Sequence, residues 1–178
     1  SEMCIRDRYQ SAHQVVGQVV ADAIEQNIPA EQISPQMLDE AAQTVIGHPL
    51  HLAPETLAEA LKHGALGLFN LMVDLERVEP RREVAIECEA GDPAALFVEL
   101  LNELLAQREL EGMFFGDFQV TRLERTADGY RLEGVARGEP MDIERHQPKV
   151  EVKAATYGGL KYFVDENGEH VVQCVLDL

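Results

Sequence analysis

Val171 to Leu176, close to the end of the chain, are apolar except for Gln173. Such a run suits a β-strand covered on both faces, near the middle of a sheet. Upstream, HQPKVEVKAATY at residues 146–157 carries a second strand pattern. There Val150, Val152 and Ala154 alternate with Glu151, Lys153 and Ala155, the period of two expected of a strand. Pro148 holds Gln147 out of the helical region and favours an extended entry. The last strand ends in Asp177 and Leu178. Oxygens gathered at the end of a buried strand are either solvated or arranged round a hard cation.

The elements before these strands alternate between helix and strand. A helix is expected from Glu55 to about Leu75, with Leu57, Leu61, Gly64, Leu68, Leu71 and Leu75 on one face. Gly64 and Gly67 cost a helix about 1 kcal/mol each relative to Ala, so close approach to a sheet is expected there. Val84, Ile86 and Cys88 alternate with Glu83, Glu87 and Glu89 as a half-buried strand. Asp92 and Pro93 read as N-cap and first residue of a second helix. Its stripe is Leu96, Phe97, Leu100, Leu101, Leu104 and Leu105, with Glu99, Asn102, Glu103 and Gln107 on a face read as solvated, the alternative being an acidic docking face. GMFFGDF reads as a loop, and a strand opens at Phe118 and Val120, with a bulge before Leu123. Asp128-Gly129 and Asn167-Gly168 signal hairpins. The sum is an α+β fold, a largely antiparallel sheet with two long helices on one face.

The formal charge is −17, and residues 51–178 carry 25 acids against 13 bases, a net −12. A surface this acidic repels phosphate and argues against direct nucleic-acid binding. It favours a basic protein partner or a cation. Only 6% of residues are aromatic and there is no Trp, so Leu, Val and Ala must fill the core. No apolar run approaches the about 18 residues of a membrane span, and no secretory signal is evident. Cys4, Cys88 and Cys174 are isolated, without metal-ligand spacing. Cys88 and Cys174 read as buried thiols, in a reducing, cytoplasmic setting. No GxSxG, P-loop, GxGxxG or HExxH is present. Asp177 and the Leu178 main chain are the metal candidates, with Asp142 or His146 as further ligands. Lys153 is expected to meet an acidic partner, or to pair with Glu151 or Asp142.

GEPMDIERHQPKVEVKAATY, followed by a hairpin and a strand ending VLDL, resembles the C-terminal half of archease, the small protein that assists the tRNA-splicing RNA ligase. The resemblance runs upstream through LFVELLNELLAQRELEGMFF and ALGLFNLMVDLERVEPRREVAIE to about Glu55. It implies a protein cofactor, not an enzyme, that promotes guanylylation of the ligase and its return to further turnovers. It also implies a divalent-metal site, Ca2+ in the family, completed by an aspartate in an HTAD-like first strand. The position of that aspartate falls here on Gly47, within TVIG, so metal binding is expected to be impaired. Tyr157 lies in a motif that is commonly TYH in the family and is followed here by Gly158.

Residues 1–10 read differently. EMCIRDR at 2–8 resembles the translation of a sequencing adapter and is set aside. Residues 11–54 carry two helical patterns, 11–28 and then Ser34-Pro35 through Leu38, Ala42, Val45 and Ile46 to Gly47. SAHQVVG at 11–17 resembles the C-terminal end of argininosuccinate lyase, with His13 read as a packing residue. The reading is therefore a chimeric join near ETLAEAL, with residues 55–178 an archease-like domain lacking its first strand. The alternatives are a fragment of that lyase or an acidic interaction module without metal.

Overall fold

The computed structural model describes residues 56–178, which lie in a compact unit running from Pro54 to Leu178. The two N-terminal helical patterns, His13, Cys4, the adapter-like run and position 47 lie outside the described residues.

Helix α1 spans Leu57–Met72 and is capped by Thr56, whose side chain accepts from the Glu59 N–H. It stops short of Leu75, which opens a separate 3-10 turn, Leu75–Arg77. Strand β1 (Arg82–Ala90) buries Val84 and Ile86 and exposes Glu83, Glu87 and Glu89, as the alternation predicts. Helix α2 (Pro93–Glu111) has Asp92 as N-cap, accepting from the Ala95 N–H at 2.9 Å, and Pro93 in its first turn. All six residues of its predicted stripe are buried. So is Val98, outside the stripe, because α2 packs against both β1 and a second sheet.

GMFFGDF is not a loop. Gly112 caps α2, and strand β2 runs Met113–Thr126. Met113, Phe114, Phe115 and Phe118 are core residues, so the aromatic cluster is buried and not a connection. The expected irregularity is there, with register shifts at Phe115/Asp117 and Val120/Arg122. The hairpin into β3 (Gly129–Pro140) turns at Ala127-Asp128, one residue earlier than its Asp-Gly signal, and pairs Thr126 with Gly129. A short helical turn α3 (Ile143–His146) follows, then β4 (Ala154–Val164) and β5 (His170–Asp177).

The fold is α+β with antiparallel pairing throughout, but the described strands form two sheets. One has the order β1-β3-β2, and the other is the β4–β5 hairpin. The run Val171 to Leu176 is thus not mid-sheet among the described residues, since β5 pairs with β4 alone. Its cover comes from helices, as both α1 and α2 pack against it. The strand predicted through Val150 begins only at Ala154. Val150 is 40% exposed, while Val152 and Ala155 are buried. Lys149 donates its N–H to Met72 O, so this segment is tied to α1 before it can join a sheet.

Gly64 does serve close approach, but to a helix. A Cβ there would lie 2.2 Å from the Phe97 ring of α2. Gly67 faces open space, so its cost has no packing return.

The polar face of α2 is not simply solvated. Asn102 Nδ2 donates to Ala155 O at 2.9 Å, and its Oδ1 accepts the Ala155 N–H at 2.8 Å. One amide side chain thereby stands in for a neighbouring strand. Asn102→Ala should cost about 1–3 kcal/mol, because it orphans two half-buried main-chain groups. Amide exchange at Ala155 should quicken with it. An unchanged rate would show that the clamp is idle.

Candidate functional site

The C-terminal end of the fold brings two candidates together. The Lys153 N–H donates to Asp177 O at 2.8 Å, and Lys153 Nζ donates to Leu178 O at 2.9 Å. Lys153 therefore bonds to the end of β5, and not to Glu151 or Asp142. Beside it a groove of about 360 Å³ runs between Leu105, Arg108 and Glu109 of α2 and Glu151 to Lys153. A hard cation takes about six to eight oxygens. This end offers the exposed Asp177 carboxylate and a Leu178 oxygen that already accepts an ammonium. Among the described residues no group of three or more His, Cys, Asp or Glu side chains could hold a metal ion. On their own, the described residues do not make up a hard-cation site.

Asp142 and His146 belong to another cluster. Asp142 caps α3, its Oδ1 accepting the Arg145 N–H at 3.0 Å. His146 is fully buried and packs edge-on against Phe114. Its Nδ1 accepts the Asp142 N–H at 3.0 Å, so the ring proton sits on Nε2, which donates to Glu139 Oε1 at 3.0 Å. Glu139 is 2% exposed and collects further donors. These are the Glu79 N–H at 2.8 Å, Arg145 Nη1 at 2.7 Å and, more loosely, Arg81 Nε at 3.4 Å. Burial alone would push this carboxyl up. The hydrogen bonds from Arg145, the Glu79 N–H and His146 together outweigh it and hold the pKa at about 2. Arg77 then ties α3 to the turn after α1, donating to Gln147 Oε1 at 2.8 Å and to Arg145 O at 3.3 Å.

Glu139, Arg145, Glu79 and Arg81 escaped sequence reasoning. Tyr130, Leu132, Gly134 and Ala136 predict the inward side of β3 and leave Glu139 facing out. It is buried because the Glu79–Arg81 segment and α3 fold over the end of the strand. The local signal was the string GEPMDIERH, where a glutamate, an N-cap and an Arg-His pair crowd one turn.

Tyr157 stands on a distortion of β4. Thr156 pairs with Val175 and Lys161 with Gln173, so Tyr157 to Leu160 lie opposite the single residue Cys174. Gly159 takes φ +62°, a conformation that residues with a Cβ seldom adopt. Gln173 Nε2 donates to Gly159 O at 3.2 Å, which explains a glutamine within an apolar strand. Tyr157 is 57% exposed, and its hydroxyl donates to Glu99 Oε1. That bond raises the phenol pKa. Cys174 lies buried and Cys88 half-buried, both as free thiols. Burial pushes Cys88 up to about 12 and Cys174 to about 11, so neither is a nucleophile at neutral pH.

Residues 49–178 match the Archease protein family (MTH1598/TM1083). The chain belongs to the archease family. The protein archease of Thermococcus gammatolerans is 46% identical over 123 residues, 69% of this chain and 86% of that one. That of Methanopyrus kandleri is 43% identical over 124 residues, 70% of this chain and 87% of that one. The solution structure of Methanobacterium thermoautotrophicum protein 1598 matches with a TM-score of 0.55 at 28% identity. It covers 68% of this chain and 87% of that chain. The archease match begins at residue 49, ahead of Glu55. Among the described residues no helix is long and apolar enough to cross a membrane.

Proposed function

We propose that this archease-family chain is a protein cofactor of the tRNA-splicing RNA ligase, in the reducing cytoplasm, promoting guanylylation of the ligase and its repeated turnover. It is not itself an enzyme. The observation that carries the reading is the archease match over residues 49–178, which includes the Lys153–Asp177–Leu178 end. The acidic surface favours a protein partner over direct binding of tRNA. Residues 11–48, ahead of the archease match, are a lyase-derived segment joined to the domain. Genomic reads that diverge between residues 47 and 62 would establish the join, and continuous reads would refute it.

Asp177 is the acidic side chain that the resemblance assigns to the metal site, and Gly47 stands where it places the other aspartate. Bound there, Ca2+ would supply a concentrated positive charge at the strand end, with Asp177 as its ligand. The chain as it stands should bind calcium weakly and stimulate the ligase poorly. Replacing residues 44–50 with an HTADVGI-like strand should raise calcium affinity, because a hard cation gains a second carboxylate, and recover stimulation with it. Asp177→Ala in the restored protein should abolish both. The measurements are calcium titration calorimetry and a guanylylation assay of the purified ligase. Full stimulation by the unrestored chain would overturn the metal reading. No stimulation by the restored chain would overturn the cofactor reading.

A further inference from the structure

The carboxylates of this protein are unevenly answered. On the outer face of the three-stranded sheet, acids meet arginines in pairs. Arg137 bonds Glu83 at 2.8 Å and Asp117 at 3.2 Å, and Arg131 reaches Glu87 at 3.4 Å and Glu89 at 3.6 Å. Arg122 holds Glu124 at 2.7 Å. That face is electrostatically closed. At the N-terminal half of α2 the pattern reverses. Among the described residues no lysine or arginine pairs with Asp92, Glu99 or Glu103. Asp92 and Glu99 both lie close enough to raise the Tyr157 pKa.

Into this acidic rim the β4 bulge projects one exposed aromatic ring. The bulge is braced at each end. Asn102 clamps Ala155 before it, Thr156 Oγ1 donates to Val175 O at 3.2 Å, and Gln173 holds Gly159 O. Tyr157 itself is held through Glu99. The ring is therefore pre-ordered, and a partner would not have to immobilise it. Glycines 158 and 159 leave its flank low.

We propose that Tyr157 and Glu99 form a docking site for an arginine side chain on a protein partner. A planar guanidinium stacks on an aromatic face and is weakly hydrated, while its fork matches a carboxylate. Tyr157 supplies the face, Glu99 the carboxylate, and Asp92 the surrounding field. A lysine would keep the charge but lose the fork and most of the stacking. Nucleic acid would be repelled. The proposal goes beyond the ligase reading and does not depend on it.

The test uses the full chain and a nine-residue peptide of alternating arginine and glycine. A lysine-glycine counterpart controls for charge. Amide shifts in heteronuclear NMR should concentrate at residues 156–161 and 92–103. The arginine peptide should bind more tightly than the lysine peptide. Tyr157→Ala should weaken the arginine peptide about tenfold, as loss of a contact worth more than 1 kcal/mol would. Glu99→Gln should weaken it about fivefold by the same conversion. Glu83→Gln, on the arginine-paired face, should leave it unchanged. Tyr157 and Glu83 are exposed and Glu99 is half-buried, and a thermal melt of each variant checks its fold. Shifts spread evenly over the acidic surface, equal affinity for the two peptides, or unchanged binding by Tyr157→Ala would each overturn the proposal.

Discussion

Leu100→Ala should destabilise the domain by about 2–5 kcal/mol, the range for a large apolar side chain removed from a core that only partly collapses. Leu100 is 0% exposed, on a helix that packs against β1 on one flank and β4 on another. The helix also packs against α1, so it is enclosed by elements of both sheets and by a second helix. Urea melts should show a lower midpoint with an unchanged slope. Leu110, on the same helix and 76% exposed, is the control. Leu110→Ala should stay within about 0.5 kcal/mol. A cost below about 1 kcal/mol at Leu100 would contradict the assigned face.

Glu139→Ala should cost about 3 kcal/mol, the low end of the range for a buried pair that loses one partner. Arg145 and Arg81 keep solvent access and can be rehydrated. The fully buried His146 Nε2–H and the Glu79 N–H cannot be rehydrated so easily, and they carry most of the penalty. The same residue sets an acid limit. Its folded pKa is about 2, below the ordinary 4.5. Its contribution is therefore fully present above the ordinary value and is lost as pH falls through about 2. Wild type and variant should differ most at neutral pH and converge near pH 2. A constant difference down to that pH would show that the carboxylate charge plays no part.

Much of the architecture was legible in local pattern. The stripe of α2, its Asp92 cap, the two faces of β1, the two hairpins and the irregularity in β2 are all short-range features. Each depends on which side of one element a residue occupies, and a helical or strand period reports that directly. At the candidate site, the pattern placed Asp177 at the end of the last strand and Lys153 within the strand before it, although β4 begins only after Lys153. It could not show that Lys153 would bond to Leu178, since that contact spans 25 positions.

Contacts between distant segments decided the rest. GMFFGDF looked like a loop because its aromatics lack alternation, yet burial on both sides suits such a run. Gly64 answers to Phe97 on another helix, and Asn102 to the main chain of β4. Glu139 had to face outward by its own strand's period, and became buried only when two other segments covered it. Tyr157 stands proud because β4 carries a bulge that β5 does not share, pinned by a glutamine on the opposite strand. Periodicity records the side a residue faces. What waits on that side, core, solvent or a buried charge, is settled by segments far away in sequence.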